Sequence, residues 1–287
     1  MLFRSIGTIC YLPISVNQST YCNTQPTDYF RTRSSGNWNN ANIWESSPNE
    51  SFIPMIIATT APSNKSNKII IRNAHTVNIN SDVRADQITI ASGGTLIYSA
   101  NNFILYDGVG DDINIENEGV FTLAKASAPP AYTDPNARIN VSTGGILRVA
   151  SSGLTNAGSG VNADNIIYQH QSVLEYAAGL PFSSVGVTYF PNADSATAPI
   201  FRITSTIALP VGGNNPTIIN GFFEVSSGCN VTWSGSAEKI FRNGFGGNGT
   251  LSLINGSIRI TGANLSRSEE HTSELQSPCN LVCRLLL

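Results

Sequence analysis

The sequence predicts an all-β fold: a single parallel β-helix, or β-solenoid, with coils of about 25 residues, an N-terminal cap and a truncated C-terminus. Three observations carry this expectation. A segment recurs, it alternates at strand period, and the composition is short of charge. Ile88–Leu96 reads ITIASGGTL, and altered copies start at Ile113 (INIENEGVF), Ile139 (INVSTGGIL) and Ile166 (IIYQHQSVL), at intervals of 25, 26 and 27 residues. Looser copies start at Phe222 (FFEVSSGCNV) and Leu251 (LSLINGSIRI), and FRITST from Phe201 supplies one edge of an intervening unit. Apolar residues one apart, such as Ile88 and Ile90, point to one face of a strand. Gly93, Gly94, Gly119, Gly144 and Gly145 supply turn geometry between the two apolar pairs. A bend is expected there, not a hairpin, because a unit of this size suits one coil whose strands pair in parallel with those of the next coil. Charged residues make up 12% of the chain against a usual share of about 25%, and 25 glycines with abundant Asn, Ser and Thr fill the turns.

Along the chain, residues 1–28 read as a poorly determined leader, 29–67 as an N-terminal cap and lead-in, 68–265 as the solenoid, and 266–287 as a foreign tail. The array is interrupted at Ala124–Pro135 (AKASAPPAYTDP), where three prolines cannot donate to a strand ladder, so a loop is expected. LPFSSVGVTYFPNADSATAP, from Leu180, is a second and longer interruption. From Arg267 the run RSEEHTSELQSPCNLVCRLLL brings charge, two cysteines and a leucine run without turn chemistry. It resembles the translation of an indexed sequencing-library adapter and is set aside from fold reasoning, as an appended scar would be. The natural C-terminus is therefore expected to be missing.

Charge and cysteine use narrow the function classes. The net charge of -3 becomes -2, 14 basic against 16 acidic residues, once the tail is removed. No basic stripe is left for nucleic acid. No apolar run approaches the roughly 18 residues needed to span a bilayer. Of five cysteines, Cys10, Cys22 and Cys229 remain outside the tail, with neither a disulfide framework nor zinc spacing. Cys10 and Cys22 can pair in an oxidising compartment. The start, MLFRSIGTICYLPISV, makes a poor signal peptide.

Between Tyr29 and Ile90 the chain reads YFRTRSSGNWNNANIWESS and then IIIRNAHTVNINSDVRADQITIASGGTL. The GNW-x5-W element, the NAHTVNI turn and the Gly-Gly coils resemble the opening of secreted and surface β-solenoid proteins of Gram-negative bacteria that use type IX secretion. Ala74 stands where that group usually has Gly, and VLEYAAGLPFSSVGVTYFP from Val173 is similar to a later part of the same proteins. The resemblance covers most of Tyr29 to Leu265. It implies an extracellular or cell-surface location, with an extracellular glycan or a surface protein as partner. The opening also loosely resembles the eight-glycine domain of extracellular hyaluronan-handling proteins, which implies glycan contact.

Candidate chemistry is sparse. Trp38 and Trp44, six apart in an Asn-rich loop, have two readings: a sugar-stacking platform, or a cap folded over the open end of the first coil. Capping is preferred, since a solenoid end must be covered. YDGVGDD, Tyr106 to Asp112, sets Asp107, Asp111 and Asp112 around two glycines and is the candidate calcium loop. It resembles the Gly-x-Gly-x-Asp run of calcium-binding β-rolls but occurs once, which favours a solvated turn. The same aspartates are the best place to look for a lyase or glycosidase carboxylate pair; Arg138, Arg148 and Asp134 are too isolated to assist. Exposed loop aromatics Tyr132, Phe182, Tyr189 and Phe190 are glycan-binding candidates. His75 and His170 lack triad partners and read as structural. The function expected is a non-enzymatic, adhesin-like surface or secreted scaffold, with no catalytic residue assigned. The alternative is a carbohydrate-active solenoid, either a glycan-binding module or a polysaccharide lyase.

Overall fold

The structure, a computed structural model, describes residues 21–125, 131–132, 136–150, 165–178, 198–209, 217–236, 238–254, 257–260 and 282–283. Period-two alternation over three to five residues, punctuated by turns, builds short strands that stack into a parallel β-helix. Its spine is a nine-stranded sheet. In order the strands are Gly36–Asn37, Thr76–Ile79, Thr95–Tyr98, Val120–Leu123, Ile146–Val149, Val173–Tyr176, Ile200–Ile203, Phe223–Val225 and Phe245–Gly246, each parallel to its neighbours. We number coils 1 to 9 by these strands.

In coils 1 to 6 a strand of a second face precedes the spine strand: Tyr29–Thr32, Lys68–Ile71, Ile88–Ile90, Ile113–Ile115, Ile139–Val141 and Ile166–Tyr168, all paired in parallel. A third face follows the spine in coils 2 to 4, at Val83–Ala85, Phe103–Leu105 and Ala131–Tyr132. From coil 7 onward that place is taken by Ile207–Leu209, Asn230–Ser234 and Thr250–Ile254, while Thr217–Ile219 and Lys239–Phe241 precede the spine in coils 8 and 9. The two halves of a repeat never pair with each other. The turn is thus a bend between faces, as the unit length implied.

Register explains why the repeat is apolar where it is. Ile69, Ile88, Ile113, Ile139 and Ile166 stand in one column, and Val77, Leu96, Phe121, Leu147, Leu174, Phe201 and Phe223 in another. Every member is buried. Neighbouring coils are ~4.8 Å apart, so each side chain packs on its own counterpart, and burying one stabilises the fold by about 1.5–3 kcal/mol. A one-residue slip would turn the whole column to solvent, which specifies the pairing.

Coil length is less regular than coil register. Successive spine strands from Thr76 to Ile200 start 19, 25, 26, 27 and 27 residues apart, and Phe201, Phe223 and Phe245 are 22 apart. The extra residues sit in corners. Only Asp86 and Gln87 join Val83–Ala85 to Ile88–Ile90, whereas Tyr106 to Asp112 fill the same corner one coil later.

At the N-terminal end, Trp44–Ser47 runs antiparallel on Tyr29–Thr32 and Ile56–Ile57 adds beside it. Residues 21–28, expected to belong to the leader, pack onto this cap: the Tyr21 hydroxyl donates to Ser46 Oγ at 2.8 Å and the Thr59 amide donates to Thr24 Oγ1 at 2.9 Å. Within the tail, Val282–Cys283 pairs antiparallel with Thr250–Ile254. Among the described residues no helix is long and apolar enough to cross a membrane.

Candidate functional site

Inward positions are mostly hydrocarbon, with Lys239 a buried charged residue on a strand, so most groups able to do chemistry lie on outward side chains and at corners. On the spine, the outward column two residues into each strand reads Arg148, Glu175, Arg202 and Glu224 in consecutive coils. Parallel register turns this sequence of alternating charge into a ladder. Arg148 Nε donates to Glu175 Oε1 at 2.6 Å, Arg202 Nη1 lies 3.9 Å from Glu175 Oε2, and Arg202 Nε donates to Glu224 Oε2 at 2.8 Å. Arg148, which sequence spacing left isolated, is therefore one rung. On the second face Asn140 Nδ2 donates to Asn114 Oδ1 at 2.8 Å, and Gln169 Nε2 donates to Asn140 Oδ1 at 3.1 Å. These polar groups bond coil to coil.

The aspartate corner is built differently from the sequence expectation. Asp107 is exposed and Asp111 half-buried, while Asp112 is fully buried. Asp112 accepts from the Gly108 amide at 2.9 Å and from the Arg138 amide of the next coil at 2.6 Å. Its oxygens are committed to fastening a loop and a coil. Among the described residues no three His, Cys, Asp or Glu side chains converge in metal-binding geometry. The three-aspartate calcium loop is accordingly corrected: the carboxylates diverge, because parallel coiling turns Asp112 inward.

The carboxyl group that does meet Asp112 is Asp86, which sequence reasoning missed. It lies 26 residues earlier, one coil interval, and that spacing is the signal that could have found it. Burial, with the hydrogen bond and negative charge of Asp112, pushes the Asp86 carboxyl from 3.8 up to about 6. Of the charged groups at this corner, which include Arg84, Asp107, Asp111 and Arg138, only Asp112 acts on it. A raised acid holds its proton more tightly folded than unfolded, so its stabilisation is complete below pH 3.8 and lost as pH rises through about 6. After solvent screening of this half-buried group the loss is about 1 kcal/mol. Urea midpoints should fall between pH 4 and 7, and Asp86→Asn should remove that part of the slope; an unchanged slope would refute the pairing.

Trp38 and Trp44 offer no face to a sugar and are withdrawn as a glycan platform. They are 2% and 0% exposed, their rings meet edge to face at 5.2 Å, and their indole nitrogens donate to Pro62 O at 3.1 Å and Trp38 O at 2.9 Å. His75 Nδ1 bonds Thr32 Oγ1 at 2.8 Å, and burial together with the Arg72 charge lowers its pKa, a structural arrangement. The His170 carbonyl accepts from Thr143 Oγ1 at 2.8 Å. Tyr132 lies on the third-face strand paired with Leu105, and Phe182, Tyr189 and Phe190 fall outside the described residues. Cys229 is free and Cys22 is disulfide-bonded.

A concave feature crosses several coils. A groove of about 430 Å³ follows the turn row between the second face and the spine, over coils 4 to 7. Asn117, Glu118, Thr143 and Gln171 line its turn side, and Ile146, Val173, Ile200 and Arg202 its strand side. No protein family, curated protein or solved structure matches this chain.

Proposed function

We infer that this chain is a non-enzymatic scaffold of the secreted or cell-surface kind, an adhesin-like β-solenoid that holds out loops and corners on a rigid stack. The observation that carries this reading is the use of the outward polar residues. Arg148, Glu175, Arg202 and Glu224 neutralise one another along the stack, and Asp112 is spent on backbone amides. A hydrolase or lyase needs the opposite, with two ionisable groups converging on open space. The disulfide at Cys22 supports export, because such bonds persist in oxidising compartments. A lightly charged, Asn- and Thr-rich surface agrees with it.

Two measurements test the reading. The purified chain should release no reducing ends or unsaturated uronates from pectate, alginate or hyaluronan, and Asp107→Asn, Asp111→Asn and Asp112→Asn should change nothing in that assay. Turnover lost on those substitutions would overturn it. In cells that make the protein, externally added protease should degrade it without lysis, and Cys22 should react with maleimide only after reduction. Protection from protease in intact cells would refute the surface location.

A further inference from the structure

We propose that the corner loop 107–111 is a pH-operated latch, held down by a proton shared between Asp86 and Asp112 and released when that proton leaves. It rests on the pairing of those two residues and is independent of the scaffold reading.

The loop is tied into the stack at both ends by backbone bonds between coils. On the entry side the Tyr106 amide donates to the Ala85 carbonyl at 3.1 Å, and on the exit side the Asp112 carbonyl accepts from the Ile88 amide at 2.8 Å. Between those ends the Gly108 amide donates to Asp112 Oδ1 at 2.9 Å. The tip stands clear of the stack: Val109 is 93% exposed, and a Cβ on Gly110 would meet no atom within 4 Å. Gly108 is placed differently. A Cβ there would lie within 2.8 Å of all three heavy atoms of the Asp86 carboxyl group, so this glycine covers that carboxyl.

Two ionised carboxylates only accept, so a hydrogen bond between Asp86 and Asp112 requires one proton. Asp112 is anchored, fully buried with its oxygens accepting from the Gly108 amide and, at 2.6 Å, from the Arg138 amide of the next coil. With the proton in place the two side chains clasp Gly108 from both sides. Without it, two negative charges face each other and Asp112 has nowhere to go. Asp86, half-buried, is then stabilised by water, and Gly108 stands in the way of that water. Hydrating Asp86 lifts Gly108 and breaks its bond to Asp112. The loop tip that carries Val109 is thereby pinned to the stack in acid and released on a longer tether nearer neutrality.

The charge balance at the corner agrees with this geometry. Burial and Asp112 push the Asp86 carboxyl up to about 6, against the Gln87 amide, which donates to Asp86 Oδ1 at 2.7 Å and favours the charged form. The proton is therefore held below about pH 6 and lost above it. Other titratable groups packed at this corner are Tyr106, Asp107 and Asp111 of the loop, Arg84 on the strand before Asp86, Arg138 of the next coil and Lys68 of the preceding one. Lys68 is held by Glu50 at 2.5 Å, and none of these groups acts on Asp86 as Asp112 does.

The test follows hydrogen exchange of single amides by NMR in the full chain, comparing proteins at one pH so that the chemistry of exchange cancels. At about pH 7.5 the Gly108 amide should exchange about fivefold faster in the parent than in Asp86→Asn, whose side-chain amide donates to Asp112 without a titrating proton. At about pH 5 the two proteins should agree within about twofold. The Arg138 amide, bonded to the same carboxylate from the next coil, should agree between them at both pH values. Gly108→Ala sets a methyl group against the Asp86 carboxyl in an exposed loop, and its residue 108 should exchange as an open loop does at either pH. The proposal fails if Gly108 exchanges alike in the parent and Asp86→Asn at about pH 7.5. It fails equally if Arg138 accelerates together with Gly108, which marks unfolding of the whole corner, or if Gly108→Ala leaves residue 108 protected.

Discussion

Trp44→Ala should destabilise the protein by about 3–5 kcal/mol, the cost of emptying a large aromatic site in a core that cannot close over it. The indole is fully buried at the start of a strand that runs antiparallel on Tyr29–Thr32, where Trp44 faces Thr32. Its Nε1 satisfies the Trp38 carbonyl at 2.9 Å, its own carbonyl accepts from the Ala58 amide at 2.9 Å, and its ring meets that of Trp38. One residue, through side chain and backbone, thus joins three cap segments. The cap strand lies on the outer edge of the first described coil and keeps its apolar interior and its edge from water. Urea denaturation should show a lowered midpoint, and hydrogen exchange should accelerate first in Tyr29–Thr32. Trp44→Phe should recover most of the loss, lacking only the indole hydrogen bond. An unchanged midpoint in Trp44→Ala would show that the indole does not close the stack.

Gly145→Ala should cost about 2–3 kcal/mol, an overpacking penalty with nowhere to relax. A Cβ at this position would lie 2.5 Å from the Ile115 carbonyl oxygen of the preceding coil. That carbonyl accepts from the Ser142 amide at 2.9 Å, so it cannot yield without breaking the bond between coils. The neighbouring position makes an internal contrast. Gln171 occupies at φ 58° the place that Gly144 takes at 73°, and Gln171→Gly should raise stability by about 0.5–1 kcal/mol, the left-handed penalty relieved less the entropy of an added glycine. Thermal melts of the two single variants should therefore move in opposite directions. If Gly145→Ala melts with the parent, the close approach of coils at this turn is wrong.

These two glycine positions also show how much of the molecule could be read beforehand. The Gly-Gly dipeptides at 93–94 and 144–145 marked a bend, and a bend is what they make. Which of the pair serves which purpose was not legible. The first takes the left-handed conformation, and the second lets a neighbouring coil approach. The same distinction explains Ala74 in the NAHTVNI turn: it occupies the left-handed position at φ 59°, where a side chain is tolerated at some strain. Spacing also hid Asp86, because a carboxyl one coil away from Asp112 looks distant along the chain.

Site residues were legible only where burial could be guessed. The two tryptophans were best read as a cap, and their burial agrees. The loop YDGVGDD looked like a converging oxygen cluster because three aspartates are close in sequence; corner geometry sends Asp107 outward and Asp112 inward. Arg148 looked solitary and is a rung of an ion-pair ladder. Asn117, Thr143 and Gln171 line the groove, and nothing in their spacing along the chain singled them out. They differ from copy to copy, and stacking brings them to one side of the groove.

Local chemistry alone therefore determined the strands, their alternation, the bends and the interval between coils, since each depends on residues within a few positions of one another. Parallel stacking decided what joins residues one coil apart, the charge ladder and the Asp86–Asp112 pair among them. Such neighbours are set by register between coils, and register follows from burying whole columns of isoleucine, leucine and phenylalanine at once, a property of the stack that no single repeat contains.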